Sequence, residues 1–163
     1  MKRLTSILAA IMLGAGAANA QMQDGPAGGM MSPSHGPHIL RHQSSAGFDA
    51  TLAQLQAAVE TRGFKTFAVI DHAAGAASIG QTLRPATLVI FGNPKGGTPA
   101  MQAEQLMALE LPLKMLAIED ENGGATLVWR DMAHTFHEYG VEDHPAAEKM
   151  SAVLKAIAEE AGR

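Results

Sequence analysis

The sequence predicts a single α+β domain in which helices pack on one face of a sheet. Three observations support this class. Apolar runs with strand character outnumber the long helical segments, amphipathic helical patterns lie near both ends of the domain, and Asn122-Gly123-Gly124 is suited to join two apolar runs as a hairpin. Because a tight hairpin joins antiparallel strands, we expect an antiparallel sheet.

The first 37 residues are predicted to lie outside this domain. Residues 1–20 have a basic start, a short apolar stretch and the small residues Ala18 and Ala20, a pattern typical of a secretory signal peptide. Residues 21–37 are rich in Gly, Pro, Met and His and predict a linker, which leaves 38–163 as the domain. We therefore expect an exported, periplasmic protein with no membrane span after cleavage, because the apolar stretch is shorter than the roughly 20 residues a spanning helix needs.

Charge and cysteine content exclude several classes of function. Without residues 1–20 the chain has 143 residues, with ten basic and sixteen acidic side chains and a net charge of −6 when histidine is neutral. This balance disfavours nucleic acid and anionic membranes as partners. The chain has no cysteine, so disulfides, thiolate metal sites and thiol redox chemistry are excluded. Its stability has to come from a core that is mostly aliphatic and filled by methionine.

The first half of the domain predicts a strand, a helix, a second strand and a short helical segment. Residues 39–45 suit an edge strand, and Asp49 suits the N-cap of a helix that ends at Gly63. Residues 64–70 are β-branched and aromatic, which favours a strand. The alanine-rich residues 72–79 predict one or two helical turns.

The second half predicts three strands and two helices. Residues 86–91 are continuously apolar and predict a buried central strand. Thr98 followed by Pro99 predicts a helix start, with the helix reaching about residue 109. Strands 113–119 and 125–130 follow, and the last helix begins near Pro145.

Two sequence segments carry a resemblance to a known family. The segment DHAAGAASIGQTLRPATLVIFGNPKGGTPAMQ, followed by ALELPLKMLAIED, closely resembles the domain-of-unknown-function 302 family. The similarity covers about residue 39 to the C-terminus, and the Asp-His, Phe-Gly-Asn-Pro, Gly-Thr and Leu-Pro-Leu-Lys motifs are specific in combination. It implies a β-α-β4-α domain, similar in architecture to half of a TATA-binding protein and often paired as a homodimer. It implies no DNA binding, because function belongs to sites rather than folds. Where the family tends to carry a histidine before a glycine, this chain has Tyr139.

Polar residues at the ends of predicted elements are the candidate ligand-binding residues. They are Asp71, His72, Gly92, Asn93, Thr98 and Lys114. Asp71 either orients the imidazole of His72 or caps the helical turn that follows. The glycine-rich loop from Gly92 to Thr98 either binds an anion through free N–H groups, helped by Lys95, or is a turn with a threonine cap.

Lys114 lies in a strand whose two faces are both apolar. A buried ammonium needs a partner, so we expect Lys114 to pair with a carboxylate, such as that of Asp71 or Glu110, or to face a pocket. The alternative is that its aliphatic stem lets the ammonium reach water at the sheet edge.

Soft donor side chains near the linker suggest a metal site. Met30, Met31, His35 and His38 combine thioether and imidazole, which suits copper, although an unstructured linker without a ligand explains the same composition. His134 and His137 lie three residues apart and are predicted to be a surface pair, because the zinc-protease arrangement is missing.

Three functions are consistent with these patterns. We favour a non-enzymatic module that binds a small molecule or metal ion near the Asp71-His72 step, the Asn93 loop and Lys114. A small hydrolase or isomerase that uses His72 and Lys114 is the first alternative. The second is a structural homodimer formed through the exposed sheet.

Overall fold

The computed structural model describes residues 38–163, and it has the predicted α+β fold with an antiparallel sheet. The five strands lie in the order β1-β5-β4-β3-β2, with helices on one face. The elements are β1 Ile39–Gly47, α1 Phe48–Thr61, β2 Lys65–Asp71, α2 His72–Ala77, β3 Ala86–Gly92, α3 Pro94–Ala103, a 3₁₀ helix Gln105–Leu109, β4 Leu113–Glu119, β5 Gly124–Arg130, α4 Met132–Glu138 and α5 Ala146–Ala161. The predicted signal peptide and linker lie outside the described residues. Within 38–163, no helix combines the length and apolarity that crossing a membrane requires.

The core lies between the sheet and helices α1 and α5. The alternation of strand side chains places one row of each strand on the helix-covered face, where Val89 pairs with Met115 and Ala117 pairs with Leu127. The helices contribute fully buried side chains to the same core: Leu55, Val59, Leu154 and Ile157. Four methionines are also buried, namely Met107, Met115, Met132 and Met150, as the composition predicts.

Two helix starts differ from the sequence prediction. Helix α3 begins at Pro94 rather than after Thr98, because the Asn93 side chain accepts a 3.0 Å hydrogen bond from the Lys95 N–H and caps the helix. Pro99 consequently lies inside α3, and Thr98 does not cap it. Helix α1 is capped by Gly47 without a side-chain hydrogen bond, so Asp49 lies in its first turn instead.

The helix predicted to reach residue 109 also ends earlier. Helix α3 stops at Ala103, and a separate 3₁₀ helix continues to Leu109. The Glu104 carboxylate accepts a hydrogen bond of 2.9 Å from the Leu106 N–H, which caps this second segment. The predicted stop at Gly63 is confirmed by a left-handed φ of 73°.

The predicted hairpin between β4 and β5 depends on Asp120. Its carboxylate accepts 2.9 Å hydrogen bonds from the N–H groups of Asn122 and Gly124 and from Nε2 of Gln43 on β1. Gly123 supplies the left-handed φ of 78° that the turn needs. These bonds, chiefly the one from Asn122, lower the pKa of Asp120 below its ordinary value of 3.8.

We expect Asp120→Ala to lower the melting temperature by a few degrees at neutral pH. Since the folded-state pKa is lowered, the stabilising effect of the carboxylate is present above the unfolded-state pKa and is lost as the pH falls through the folded-state pKa. The difference from wild type should therefore shrink below about pH 4. Thermal melts monitored by fluorescence of the single tryptophan, Trp129, measure this. Glu121→Ala is the matched control, and an equally large effect of Glu121→Ala would contradict the assignment.

Candidate functional site

An open cleft of about 690 Å³ lies between the β3–α3 loop, the segment before β4 and helix α5. Its apolar lining comes from four separate parts of the chain: Phe64, Phe67, Met101, Leu111, Pro112, Leu113, Met150 and Val153. Lys95 and Lys149 also line it, and both are exposed. The cleft therefore has an apolar interior and a positively charged rim.

Three of the six predicted ligand-binding residues line this cleft, namely Gly92, Asn93 and Thr98. A Cβ atom at Gly92 would lie 3.2 Å from Cε2 of Phe67 and 3.3 Å from Cβ of Pro112, so glycine lets these two rings approach the strand end closely. Asn93 fixes the loop, because its Nδ2 donates a hydrogen bond of 3.2 Å to the Gly63 carbonyl oxygen.

The Asp71-His72 step lies away from the cleft, and both of its residues are exposed. The Asp71 carboxylate accepts a hydrogen bond of 2.9 Å from the Ala74 N–H and so caps α2, which is the second of the two roles that the sequence suggests for Asp71.

The register separates this step from Lys114. Asp71 pairs with Thr87, whereas Lys114 pairs with Ile90, which in turn pairs with Ala68. Asp71 and Lys114 are separated by two strand spacings of about 4.8 Å across the sheet and by three residues of about 3.3 Å each along the strands. Their α-carbons are therefore roughly 14 Å apart. The expected single pocket that joins the Asp-His step to Lys114 is therefore wrong.

Lys114 belongs to a polar cluster at the start of β4. Its Nζ atom donates a hydrogen bond of 2.9 Å to the carbonyl oxygen of Glu110, so its partner is a backbone group rather than the expected carboxylate. The Glu110 carboxylate accepts a hydrogen bond of 3.2 Å from the Tyr139 hydroxyl and lies 3.8 Å from Nε of Arg130. Nη2 of Arg130 donates to Glu138 at 2.8 Å. Glu110 therefore links Lys114, through its carbonyl oxygen, to Tyr139 and Arg130, through its carboxylate.

The environment of Tyr139 raises its pKa above the ordinary value of 10.0. Burial is the main cause, and the negative charge of Glu110 adds to it. The phenol therefore stays protonated and remains a hydrogen-bond donor over the physiological pH range.

The predicted metal-ligating residues divide between described and undescribed parts of the chain. Met30, Met31 and His35 lie outside the described residues, whereas His38 begins them. His38 meets His134 and Glu138 of α4, and their possible ligand atoms all lie within 4.8 Å of one another. His137 is 68% exposed and does not belong to this group.

Sequence reasoning missed Glu138 and the long-range contacts of the cleft. The four-residue spacing of His134 and Glu138 is a usable signal, because side chains at this spacing share a helix face. No local sequence signal indicates that Phe67, Pro112 and α5 line the same cleft.

The strand order and the helices on one face define a small α+β domain, and the comparisons with known proteins assign its family. The sequence profile described as "Domain of unknown function DUF302" matches residues 40–157. The chain belongs to this family, as its motifs predict. The described fold is also similar to that of a solved structure, the uncharacterized conserved protein DUF302 from Bacillus stearothermophilus, with a TM-score of 0.70 and 15% sequence identity over 78% of this chain and 100% of that one.

Two curated relatives align with a part of the chain. Proteins named "Fluoride-specific ion channel FluC 1" from Brucella suis biovar 1 and Brucella abortus biovar 1 are each 40% identical over 83 residues, which is 51% of this chain. The aligned segment is 33% of the first relative and 31% of the second. The match therefore spans about a third of the length of these relatives.

Tyr139 is the only tyrosine of the chain, so its titration can be followed directly by tyrosinate absorbance. We expect a midpoint above 10.0 in the wild type and a lower midpoint in Glu110→Gln, because that variant removes a negative charge that disfavours tyrosinate. Part of the shift should remain, since burial is its main cause. Glu148→Gln, at an exposed position on α5, is the control. A midpoint that Glu110→Gln leaves unchanged would disprove the coupling.

Proposed function

We propose that this domain is a non-enzymatic module that binds a small organic anion with an apolar body. The observation that carries the proposal is the 690 Å³ cleft with its apolar lining and lysine rim. Sites for small molecules are typically clefts of about 300–1,000 Å³ with a mostly apolar lining and a few polar groups that orient the ligand. The volume and composition of this cleft fit that description.

The charge of the ligand follows from the rim. Lys95 and Lys149 place two ammonium groups at the mouth of the cleft, although the chain as a whole is negative. A carboxylate or similar group can stay partly hydrated beside these lysines while its apolar body enters the cleft. Burial of that body supplies most of the affinity, at about 25 cal/mol per Å² of apolar surface. The lysines supply selectivity for anions.

The geometry favours binding over the catalytic alternative. A hydrolase or isomerase that uses His72 and Lys114 needs both groups at one substrate, but these residues lie at different ends of the sheet. The Lys114 ammonium is also held at the Glu110 carbonyl, on the side away from His72. The catalytic pair is therefore dropped, and the cleft remains as the candidate site.

We expect an apolar carboxylate such as naphthoate to bind more tightly than the uncharged naphthamide of nearly the same shape. Lys149→Glu should weaken naphthoate binding roughly fivefold and leave naphthamide nearly unchanged, because exposed charges contribute about 1 kcal/mol. Ala108→Trp should weaken both ligands, since Ala108 lines the cleft at an exposed position and a large side chain there obstructs it. Isothermal titration calorimetry measures each constant.

Lys155→Glu is the matched control, because Lys155 is an exposed lysine of α5 that is absent from the cleft lining. Equal effects of Lys149→Glu and Lys155→Glu would show non-specific attraction. Binding that survives Ala108→Trp would place the ligand elsewhere, and binding of neither compound to the wild type would refute the proposal. Fluoride should be titrated in the same way, because the aligned relatives carry the name of a fluoride-specific channel.

The proposal includes export to the periplasm and a homodimer. The signal-peptide pattern of residues 1–20 supports export. The dimer is supported by the sheet edge, where Phe67, Val69 and Ile70 of β2 are 49%, 45% and 40% exposed. Apolar side chains on an edge strand favour pairing with another chain.

Native mass spectrometry of the protein from its own source tests both statements together. We expect a chain that begins at Gln21 and a complex with twice the mass of that chain. A chain that keeps Met1 would contradict export, and a monomer at working concentration would contradict the dimer.

A further inference from the structure

A group of nitrogen and oxygen donors lies where the start of β1 meets α4. His38 comes from the residue before β1, and His134 and Glu138 come from α4. One ligand atom from each lies within 4.8 Å of the other two. None of the three residues lines the 690 Å³ cleft, so this group is separate from the candidate ligand site.

The backbone holds the two sides of the group together through Asp131. The Asp131 N–H donates a 2.8 Å hydrogen bond to the His38 carbonyl oxygen, which fixes the start of β1. The Asp131 side chain accepts a 3.0 Å bond from the Ala133 N–H and caps α4. The position of His38 relative to α4 is therefore set by backbone bonds that do not involve its imidazole.

The imidazole of His38 lacks the partner that a buried nitrogen needs. Its Nδ1 atom is buried and has no hydrogen-bond partner among residues 38–163. The ring stacks on that of His134, with centroids 3.1 Å apart and planes 6° from parallel. A buried nitrogen without a partner is unfavourable. A bound cation that accepts the lone pair of this nitrogen would supply the missing partner.

Glu138 is already oriented by a neighbouring group. Arg130 donates to its Oε2 atom at 2.8 Å, while its Oε1 atom lies 3.3 Å from Nε2 of His134. One carboxylate oxygen is thus held from outside the group and the other faces the imidazoles. Such supporting contacts are common around metal ligands, because they fix the carboxylate without occupying its second oxygen. The charge of Arg130 is partly balanced by Glu110, which lies 3.8 Å from its Nε atom.

We propose that His38, His134 and Glu138 form a site for a divalent late first-row transition metal, of the Zn²⁺ or Cu²⁺ class. Two imidazoles and one carboxylate suit these ions, whereas Ca²⁺ and Mg²⁺ require mostly oxygen ligands. Metal–ligand bonds of about 2.0–2.2 Å put neighbouring ligand atoms roughly 3.5 Å apart. The ligand atoms, now within 4.8 Å of one another, therefore have to approach by about an ångström, and one imidazole has to turn out of the stack because each lone pair lies in its own ring plane. Three protein ligands leave at least one coordination position for water or another donor.

The site uses one residue of the metal group predicted from the linker composition and replaces the others. His38 is common to both, but its partners are on α4, about a hundred residues later in the chain. The two sites can be distinguished by mutation, since Met30, Met31 and His35 contribute only to the linker alternative.

The test is titration of the full chain, purified without a histidine tag, with Zn²⁺ and with Cu²⁺ by isothermal titration calorimetry. We expect one ion per chain. His38→Ala, His134→Ala and Glu138→Gln should each weaken binding at least about tenfold, because even outer-shell changes alter metal affinity by roughly 10–100-fold. His137→Ala, which removes an exposed imidazole of the same helix, should leave the affinity within about twofold.

A triple variant with alanine at Met30, Met31 and His35 separates this site from the linker. We expect it to retain binding, and it should still gain melting temperature on addition of the metal. Loss of binding in the triple variant but not in His134→Ala would overturn the α4 site in favour of the linker. Absence of binding to the wild type, or weakening by His137→Ala as large as that by His134→Ala, would also overturn it. The metal-free melting temperature of each variant shows whether it has folded.

Discussion

The antiparallel register of β2, β3 and β4 determines which functional groups of this protein meet. It pairs Lys114 with Ile90 and Asp71 with Thr87, at different positions along the sheet. One end of the sheet therefore carries the polar cluster around Glu110 and the cleft against α5, while the other end carries α2 with its aspartate cap. A shift of the register by one residue would turn every side chain of a strand to the other face, so the buried row of β4 specifies this arrangement strongly. The location of the candidate sites follows from how the core packs.

Local sequence signals predicted most of the fold. The apolar runs, the turn at Asn122-Gly123 and the stop at Gly63 depend on neighbouring residues, and the structure confirms all three. The predicted start of α3 is wrong for a physical reason. Asn93-Pro94 and Thr98-Pro99 both carry the pattern of a cap followed by proline, so local preference cannot choose between them. The contact of Asn93 Nδ2 with the Gly63 carbonyl oxygen makes the choice, and that contact depends on tertiary structure.

The candidate sites were less predictable than the fold because their parts come from distant segments. The motif residues Gly92, Asn93 and Thr98 line one cleft because they lie close together in the chain, at the end of β3, at the cap of α3 and within α3. Their apolar partners on α5 carry only the periodicity of an ordinary core helix, which gives no indication of an open cleft. Likewise, His38 was assigned to a linker group because composition alone cannot show that a hydrogen bond from Asp131 draws it towards α4.

Tyr139 shows how a departure from the expected motif can preserve the charge of a site. At the position where the family resemblance suggests histidine, the phenol donates to Glu110 inside a cluster that also holds Lys114, Arg130 and Glu138. One ammonium, one guanidinium and two carboxylates balance there, and a phenol with a raised pKa adds no charge at physiological pH. An imidazole would titrate near neutral pH and add a positive charge to a balanced group. Tyrosine therefore retains a hydrogen-bond donor while it keeps the charge of the cluster constant.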